Sequence, residues 1–148
     1  MKIINKKFNR DYEEIESFEA GIILTGAEVK SIKNGGLKLE DSYVKIFQDG
    51  PYLINANIPK YKFDPSQNYK PTRSRKLLLN KKEIIRLITK MKSAGLTIAP
   101  KSCYNKGDLI KLEIALVKGR KDIEKRKLEK QKDIKVATEK ELKEYLRG

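Results

Sequence analysis

Two stretches of the chain alternate between polar and apolar residues on both sides of a turn signal. Residues 42–58 alternate around Asp49-Gly50, and residues 96–117 alternate around Asn105-Lys106-Gly107. A period of two sends successive side chains to opposite faces of a strand, so each stretch predicts an antiparallel hairpin. A fold with two such hairpins must bury one face of each, which favours a small antiparallel barrel.

Two short helices are predicted by their end signals. Thr25 with Glu28, and Asn80 with Glu83, have the spacing of a capping box, in which two side chains satisfy the first free amides of a helix. Gly95 ends the second helix. Together these elements predict a mainly β fold, namely an OB-type antiparallel barrel with two to three short helices.

The composition changes after Gly119. Residues 118–148 contain twelve Lys or Arg and seven Asp or Glu, with only scattered apolar residues. Such a segment cannot bury a face, so it is expected to be disordered or marginally helical when free. The organisation predicted is a flexible N-terminus (1–7), an OB-type body (8–121) and a basic C-terminal tail (122–148). Within the tail, residues 138–141 have a capping-box spacing before Leu142.

The charge balance points to a polyanionic partner. The chain has 34 Lys and Arg against 20 Asp and Glu, which gives a formal net charge of +14. A surplus of this size is typical of nucleic-acid binding, although a solubilising lysine surface has the same composition. No stretch approaches the roughly 20 apolar residues of a membrane span, and residues 1–7 are too charged for a signal peptide. We therefore expect a cytoplasmic protein without membrane contact.

Several chemical functions are excluded or disfavoured by the residues that the chain contains. There is no histidine and Cys103 is the only cysteine, which leaves neither imidazole catalysis nor a cysteine metal cluster. Glu28, Lys30 and Asp41 could be assembled into a metal-dependent nuclease site, but the capping role already explains Glu28. We expect no catalysis, no metal and no cofactor, and keep the nuclease as the alternative from another class.

Two basic clusters are candidate phosphate contacts. Residues 70–76 place four cations in seven positions, and Arg73 and Arg75 carry planar guanidinium groups suited to two-pronged contact with phosphate. The second cluster, residues 118–121, follows the last predicted strand, and Gly119 would allow backbone to approach a ligand closely. Both clusters predict contact with RNA.

Five motifs, in order, carry a resemblance to a known family. They are Phe18-Glu19-Ala20-Gly21-Ile22, Gly26-Ala27-Glu28-Val29-Lys30-Ser31, Asp41-Ser42-Tyr43-Val44, Pro71-Thr72-Arg73-Ser74-Arg75-Lys76-Leu77-Leu78-Leu79 and Lys118-Gly119-Arg120-Lys121. Through these motifs the chain resembles the SsrA-binding protein (SmpB) family over its whole body and the start of its tail. A generic OB-type RNA-binding or translation factor, the other alternative, would not need all five.

The resemblance implies a specific function. Members of that family have an OB-type barrel that binds the tRNA-like domain of transfer-messenger RNA (tmRNA). They escort the charged RNA, with elongation factor Tu bound to that RNA, to bacterial ribosomes stalled on messages without a usable stop codon. The tail enters the decoding centre, formed by 16S rRNA, and the empty mRNA channel, where it becomes helical. The process, trans-translation, rescues the ribosome and tags the incomplete peptide.

The resemblance also implies which residues act. The RNA-contacting glutamate of the family falls on Glu19, its leucine on Leu78 and its last-hairpin lysine on Lys111. With the basic clusters, the expected RNA-binding residues are Glu19, Lys30, Arg73, Arg75, Lys76, Leu78, Lys111, Lys118, Gly119, Arg120 and Lys121. The residues expected at the decoding centre and in the mRNA channel are Ile123, Glu124, Lys125, Arg126, Lys127, Lys130, Lys132 and Lys135. Ile123 stands where the family often has His or Tyr, so only apolar contact is expected there.

Overall fold

The sheet of the protein closes into a barrel. The computed structural model describes residues 1–121 and 124–130. The strands in that part of the chain are β1 (Lys2–Ile4), β2 (Tyr12–Ile22), β3 (Tyr43–Phe47), β4 (Gly50–Ile54), β5 (Arg75–Leu78), β6 (Thr97–Lys106) and β7 (Leu109–Gly119). All pairings are antiparallel, in the order β1-β6-β3-β4-β5-β2-β7, and β7 also pairs with β6. This closure confirms the predicted OB-type barrel.

Helices cover the barrel, and the core lies inside it. They are α1 (Phe8–Asp11), α2 (Gly26–Lys33) and α3 (Lys81–Ala94). Ile32 of α2 and Leu87 of α3 are completely buried against inward side chains of the strands, such as Leu112, Ile114 and Leu116 of β7. Burial of one such side chain contributes about 1.5–3 kcal/mol. The apolar residues at alternate positions of β7 therefore hold the helices and the barrel together.

Both predicted helices begin at their capping boxes. The Thr25 hydroxyl accepts from the Glu28 amide at 3.2 Å, and the Glu28 carboxylate accepts from the Thr25 amide at 3.0 Å. Asn80 and Glu83 exchange the same pair of bonds at the start of α3. Gly95 ends α3 in the left-handed region with φ of 61°. The two helix predictions are therefore confirmed.

The two predicted hairpins are also present, with differences in the position of the turns and in length. β3 pairs with β4 across residues 48–49, so Gly50 of the predicted turn begins β4. β6 pairs with β7 across residues 107–108, so Asn105 and Lys106 of the predicted turn belong to β6. β4 ends at Ile54, whereas the alternating pattern continues to Ile58. The reason is that Asn55 adopts φ of 65°, which turns the chain, and Asn57 pairs instead with Lys38.

The N-terminus differs from the prediction of a flexible segment. Residues 2–4 form β1 and pair with β6, and the buried Asn5 amide donates to the Pro100 carbonyl at 2.9 Å. Phe8 of α1 is buried against Ala115 and Val117. A strand of three residues, one of them a lysine, carries little periodic signal, and its pairing partner is about a hundred positions away, so the sequence pattern could not reveal this strand.

The start of the tail lies against α1. Residues 124–130 are helical. Arg10 contacts Glu129 at 2.6 Å, and Lys125 contacts Asp11 at 3.7 Å. The remaining tail predictions lie outside the described residues; these concern Ile123, Lys132, Lys135 and the capping box at 138–141. In the part of the chain that is described, no helix has the length and apolar character to cross a membrane.

Candidate nucleic-acid interface

Three residues singled out from the sequence meet on the outer surface of the barrel. Gly21 of β2 pairs with Leu78 of β5 on one side and with Lys111 of β7 on the other. Glu19 lies two positions before Gly21 and therefore on the same face. A Cβ at position 21 would lie 3.2 Å from the Leu78 Cβ, so the glycine allows Leu78 to lie across β2. Leu78 is 54% exposed and therefore accessible to a partner at this surface.

The same row continues onto β6. Tyr104 pairs with Lys111. Its hydroxyl donates to the Glu19 carboxylate, and Lys106 contacts that carboxylate at 3.3 Å. We call the surface formed by Glu19, Leu78, Tyr104, Lys106 and Lys111 the Glu19 face. A shallow cavity of about 270 Å³ lies beside it, lined by Leu78 and Lys111 among others.

The electrostatics of the Glu19 face keep its carboxylate ionised. The hydrogen bond from Tyr104 lowers the pKa of Glu19, and the ammonium groups of Lys106 and Lys111 lower it further. The same hydrogen bond raises the pKa of Tyr104 to about 12. At neutral pH the face therefore presents one negative acceptor between two lysines. It can accept from a 2′-hydroxyl or a base amino group while the lysines meet phosphates.

Tyr104 and Lys106 were not identified from the sequence. A signal for them was present, because Gly107-Asp108 is a two-residue turn sequence that fixes the register of the hairpin, but the turn was predicted at residues 105–107. Counting back from that turn places Tyr104 opposite Lys111. The sequence pattern could not predict that Glu19 of β2 contacts Tyr104 and Lys106 of β6 across β7, since β2 precedes this hairpin by about 80 positions.

Arg75 is a correction to the predicted phosphate contacts. Its side chain is completely buried. The guanidinium donates to the Glu28 carboxylate at 2.9 Å, to the Ala56 carbonyl at 2.8 Å, and to the Pro71 carbonyl and the Tyr69 hydroxyl at 2.9 and 3.0 Å. Each of the three guanidinium nitrogens donates inside the protein, so Arg75 fixes the segment 56–71 against α2 and does not face a ligand.

Glu28 is the centre of that buried cluster. It contacts Arg73 as well as Arg75. Burial alone would raise the pKa of Glu28, but hydrogen bonds from Arg73, the Thr25 amide and Arg75 outweigh it and hold the pKa at about 2. A carboxylate that is 1% exposed and bound to two guanidinium groups cannot also ligate a metal ion. The described residues thus give no support to the nuclease alternative.

We expect Arg75→Ala to destabilise the protein by about 3–5 kcal/mol, because it leaves Glu28 with an uncompensated buried charge. Urea unfolding at pH 7 measures the effect. Arg73→Ala is the matched control, since Arg73 contacts the same carboxylate from a half-exposed position. It is expected to cost clearly less. Equal losses for the two variants would contradict the distinct role of Arg75.

The other predicted residues of the body are distributed around the barrel. Lys76 lies on β5 two positions before Leu78 and on the same outer face. Lys30 is exposed on α2, where its Nζ lies 5.5 Å from the centre of the Tyr61 ring. Arg73 is half-exposed beside Glu28. Lys76 therefore extends the Glu19 face, whereas Lys30 and Arg73 belong to a separate basic region near α2.

The cluster at 118–121 lies at the far end of β7. Lys118 and Lys121 are exposed. Arg120 instead turns back, and its Nε donates to the carbonyls of Asn9 and Tyr12, both at 3.1 Å. Gly119 pairs with Tyr12. Arg120 thus anchors the start of the tail to α1, and only the two lysines point to solvent.

The tail residues that are described present mainly charge. Glu124, Arg126, Lys127 and Lys130 are exposed, while Lys125 is bound to Asp11. Lys111 and Gly119 are separated by eight positions of β7. At the rise of an extended strand this is about 26 Å. The Glu19 face and the start of the tail therefore lie at opposite ends of the barrel.

Comparison with known proteins gives one consistent result. The family model described as "SmpB protein" matches residues 2–144. An SsrA-binding protein of Sulfurihydrogenibium sp. (strain YO3AOP1) is 48% identical over 94% of this chain and 91% of its own length. One from Thermosipho melanesiensis is 45% identical over the whole of both chains. A solved structure described as "tmRNA-SmpB: a journey to the center of the bacterial ribosome" matches 82% of this chain and 85% of its own, with 37% identity and a TM-score of 0.67.

Proposed function

The chain belongs to the SsrA-binding protein (SmpB) family, and from this premise we propose that it binds the tRNA-like domain of tmRNA and brings it to stalled bacterial ribosomes for trans-translation. The observation that carries the proposal is the convergence of Glu19, Leu78 and Lys111 on one surface from three different strands. These residues are far apart in sequence, and they form one surface because β2 pairs with β5 on one side and with β7 on the other.

The Glu19 face has the chemistry that folded RNA requires. Lys106 and Lys111 can neutralise phosphates, which supplies affinity without sequence preference. Glu19 can accept from a 2′-hydroxyl or a base edge, and Leu78 can pack on a sugar or an unstacked base. The ionised carboxylate repels any phosphate placed directly beside it. The face therefore accepts an RNA only when its phosphates lie against the lysines and a donor lies against Glu19. That combination favours recognition of one RNA shape over general binding.

We propose a separate task for the tail. Its cations would contact the phosphate-lined decoding centre and mRNA channel, and the segment would become ordered there. When message already fills the channel, the tail has no site and the cost of ordering is not compensated. Elongation factor Tu would join only through the charged tmRNA. The chain itself would catalyse no step.

Leu78→Glu tests the assignment of the RNA surface. We expect it to weaken binding to a tRNA-like tmRNA fragment at least about tenfold, because it places a second anion where phosphate and sugar would lie. Fluorescence anisotropy with labelled RNA measures the change. The matched control is Ile85→Glu, since Ile85 is 55% exposed on α3 outside the Glu19 face. If affinity fell equally in both variants, or in neither, the RNA would not bind at the Glu19 face.

A further inference from the structure

The first strand of the barrel has one edge without a neighbouring strand. Among the described strands, β1 pairs with β6 and with no other. The amide of Asn5, which continues the strand, donates to the Lys101 carbonyl on the β6 side at 2.9 Å. Backbone groups alternate in direction along an antiparallel strand, so those of Ile3 also face β6 while those of Lys2 and Ile4 face the open side. β1 therefore presents the amide and carbonyl of Ile4 to a partner.

A groove runs along this open edge. Ile3 and Ile4 line one wall together with the flanking lysines, and Leu37 and Lys38 line the other. Its volume is about 750 Å³. This is within the range of about 300–1,000 Å³ that is usual for binding sites. We call it the β1 groove. It is long in the direction of the strand, which suits an extended chain.

The charges around the β1 groove favour an acidic partner. Three exposed lysines line it, namely Lys2, Lys6 and Lys38. Among the described residues that line the groove, Glu40 is the one carboxylate, and it accepts from the Lys6 amide at 3.2 Å. That bond shows that an acidic side chain can lie against the open edge. Lysines beside a strand edge discourage pairing with another basic strand and favour a segment that carries carboxylates.

The side chains of β1 define the residue pattern expected in such a segment. Lys2 and Ile4 lie on the same face of the strand, and Ile4 is 57% exposed. Side chains that lie opposite each other on neighbouring strands interact. A strand added here would therefore place one side chain beside Lys2 and another beside Ile4. The matching segment has an acidic residue and an apolar residue two positions apart.

RNA phosphate is the other anion that the three lysines could attract. Recognition of single-stranded RNA relies on aromatic side chains for stacking, and no aromatic residue is among the described residues that line the β1 groove. RNA would also leave the outward backbone groups of Ile4 without a strand partner. An extended peptide uses every feature of the groove, because strand addition draws affinity from main-chain hydrogen bonds and specificity from alternate side chains.

From these observations we infer that the β1 groove binds an extended acidic segment of a partner protein, which adds to the barrel as a strand beside β1. The backbone of the segment pairs with Ile4, and its carboxylates meet Lys2 and Lys38. Since Lys2 pairs with Tyr104, the segment lies next to the Glu19 face but at the edge of the sheet. The body therefore holds a protein beside the RNA that it binds.

A synthetic peptide that alternates Glu and Val, blocked at both ends, is the probe for this inference. Titrated into the isotope-labelled full chain, it is expected to shift the amide signals of residues 2–6 and 35–40. It should also slow hydrogen exchange of the Ile4 amide at least about tenfold at saturation, because that amide becomes hydrogen-bonded. A peptide with Lys in place of Glu should do neither. Shifts that spread over lysines of the whole surface, or that leave residues 2–6 unchanged, would overturn the inference.

Ile4→Pro tests the backbone pairing. It removes the outward amide and leaves the bonds from β1 to β6 in place, since proline is tolerated on an edge strand. Affinity for the acidic peptide is expected to fall about three- to tenfold, as for loss of one hydrogen bond. Ile4→Val keeps the amide and is the matched control, and thermal unfolding checks both folds. Equal peptide affinity in the two variants would contradict strand addition.

The double variant Lys2→Glu, Lys38→Glu tests the charge without altering the backbone. We expect peptide affinity to fall about tenfold or more, because carboxylates would then face carboxylates. Lys62→Glu with Lys81→Glu is the matched control, since both lysines are exposed outside the groove. Equal loss in the two double variants would mean general attraction between charges and would overturn the inference.

Affinity for the tRNA-like fragment separates this inference from the proposed function. In Ile4→Pro it should stay within about twofold, because Ile4 lies outside the Glu19 face. A loss of RNA affinity as large as the loss of peptide affinity would assign the edge of β1 to RNA and would overturn the inference. Failure of the unaltered protein to bind the fragment would overturn the proposed function and leave the peptide result standing.

Discussion

Removal of residues 124–148 is expected to abolish peptide tagging on stalled ribosomes while affinity for the tRNA-like fragment stays within about twofold. The body should tolerate the deletion, because the tail meets it through surface ion pairs, of which Arg10–Glu129 is exposed and Lys125–Asp11 is partly buried. Pairs of this kind contribute about 0–1 kcal/mol. Without the tail, no cationic segment is left to order in the empty channel, so delivery would stop before tagging.

Two measurements on the same protein divide the tasks of body and tail. Anisotropy with the tRNA-like fragment reports the body, and tagging of a reporter peptide in a reconstituted translation system reports the tail. A chain with residues 124–148 in scrambled order keeps the charge and is the control for simple cation content. Parallel loss of RNA affinity in the truncated chain would show that the tail, and not the Glu19 face, holds the tmRNA.

The second large effect is expected when the two charges of the Glu19 face are removed together. Each charged hydrogen bond is worth about 1.5–3 kcal/mol. The double variant Glu19→Ala, Lys111→Ala should therefore weaken binding to the tRNA-like fragment by about two orders of magnitude or more. Both side chains point outward from the barrel, so its core stays intact. Direct titration of the fragment at fixed salt measures the loss.

The matched control for that experiment is Glu13→Ala with Lys81→Ala. Glu13 is exposed on the same strand as Glu19, and Lys81 is exposed at the start of α3. The control removes one negative and one positive charge outside the Glu19 face. The net charge is unchanged, so the general attraction of the protein to phosphate should stay nearly the same. If the affinity of the Glu19 and Lys111 double variant were unchanged, neither residue would contribute to RNA binding.

The elements that the sequence predicted well are those whose signal is local. The two hairpins were predicted from alternation beside a turn signal, and the helices from the capping boxes at Thr25 and Asn80. All four elements are present, although the turns lie at residues 48–49 and 107–108 instead of 49–50 and 105–107. Local chemistry of this kind survives folding because the rest of the barrel agrees with it.

The features that sequence reasoning missed depend on partners far along the chain. β1 is a strand only because β6 offers an edge at residues 102–104. Arg75 lies in a basic cluster that suggests phosphate contact, but Glu28, 47 positions earlier, pairs with it inside the protein. Tyr104 belongs to the interface because its hydroxyl donates to Glu19, which lies 85 positions earlier in the chain. In each case a long-range pairing decides between two roles that the same residue type can fill.

Recognition of one RNA shape by the body is tested most directly by comparing two RNAs over a range of salt concentrations. The affinities of the protein for the tRNA-like fragment of tmRNA and for an ordinary tRNA would be measured from about 50 to 500 mM salt. Counterion release weakens both as salt rises, with similar slopes if the number of phosphate contacts is similar. We predict that the preference for the tRNA-like fragment persists at the highest salt. A preference that vanishes as salt rises would mean that charge alone carries the binding, and would contradict the account.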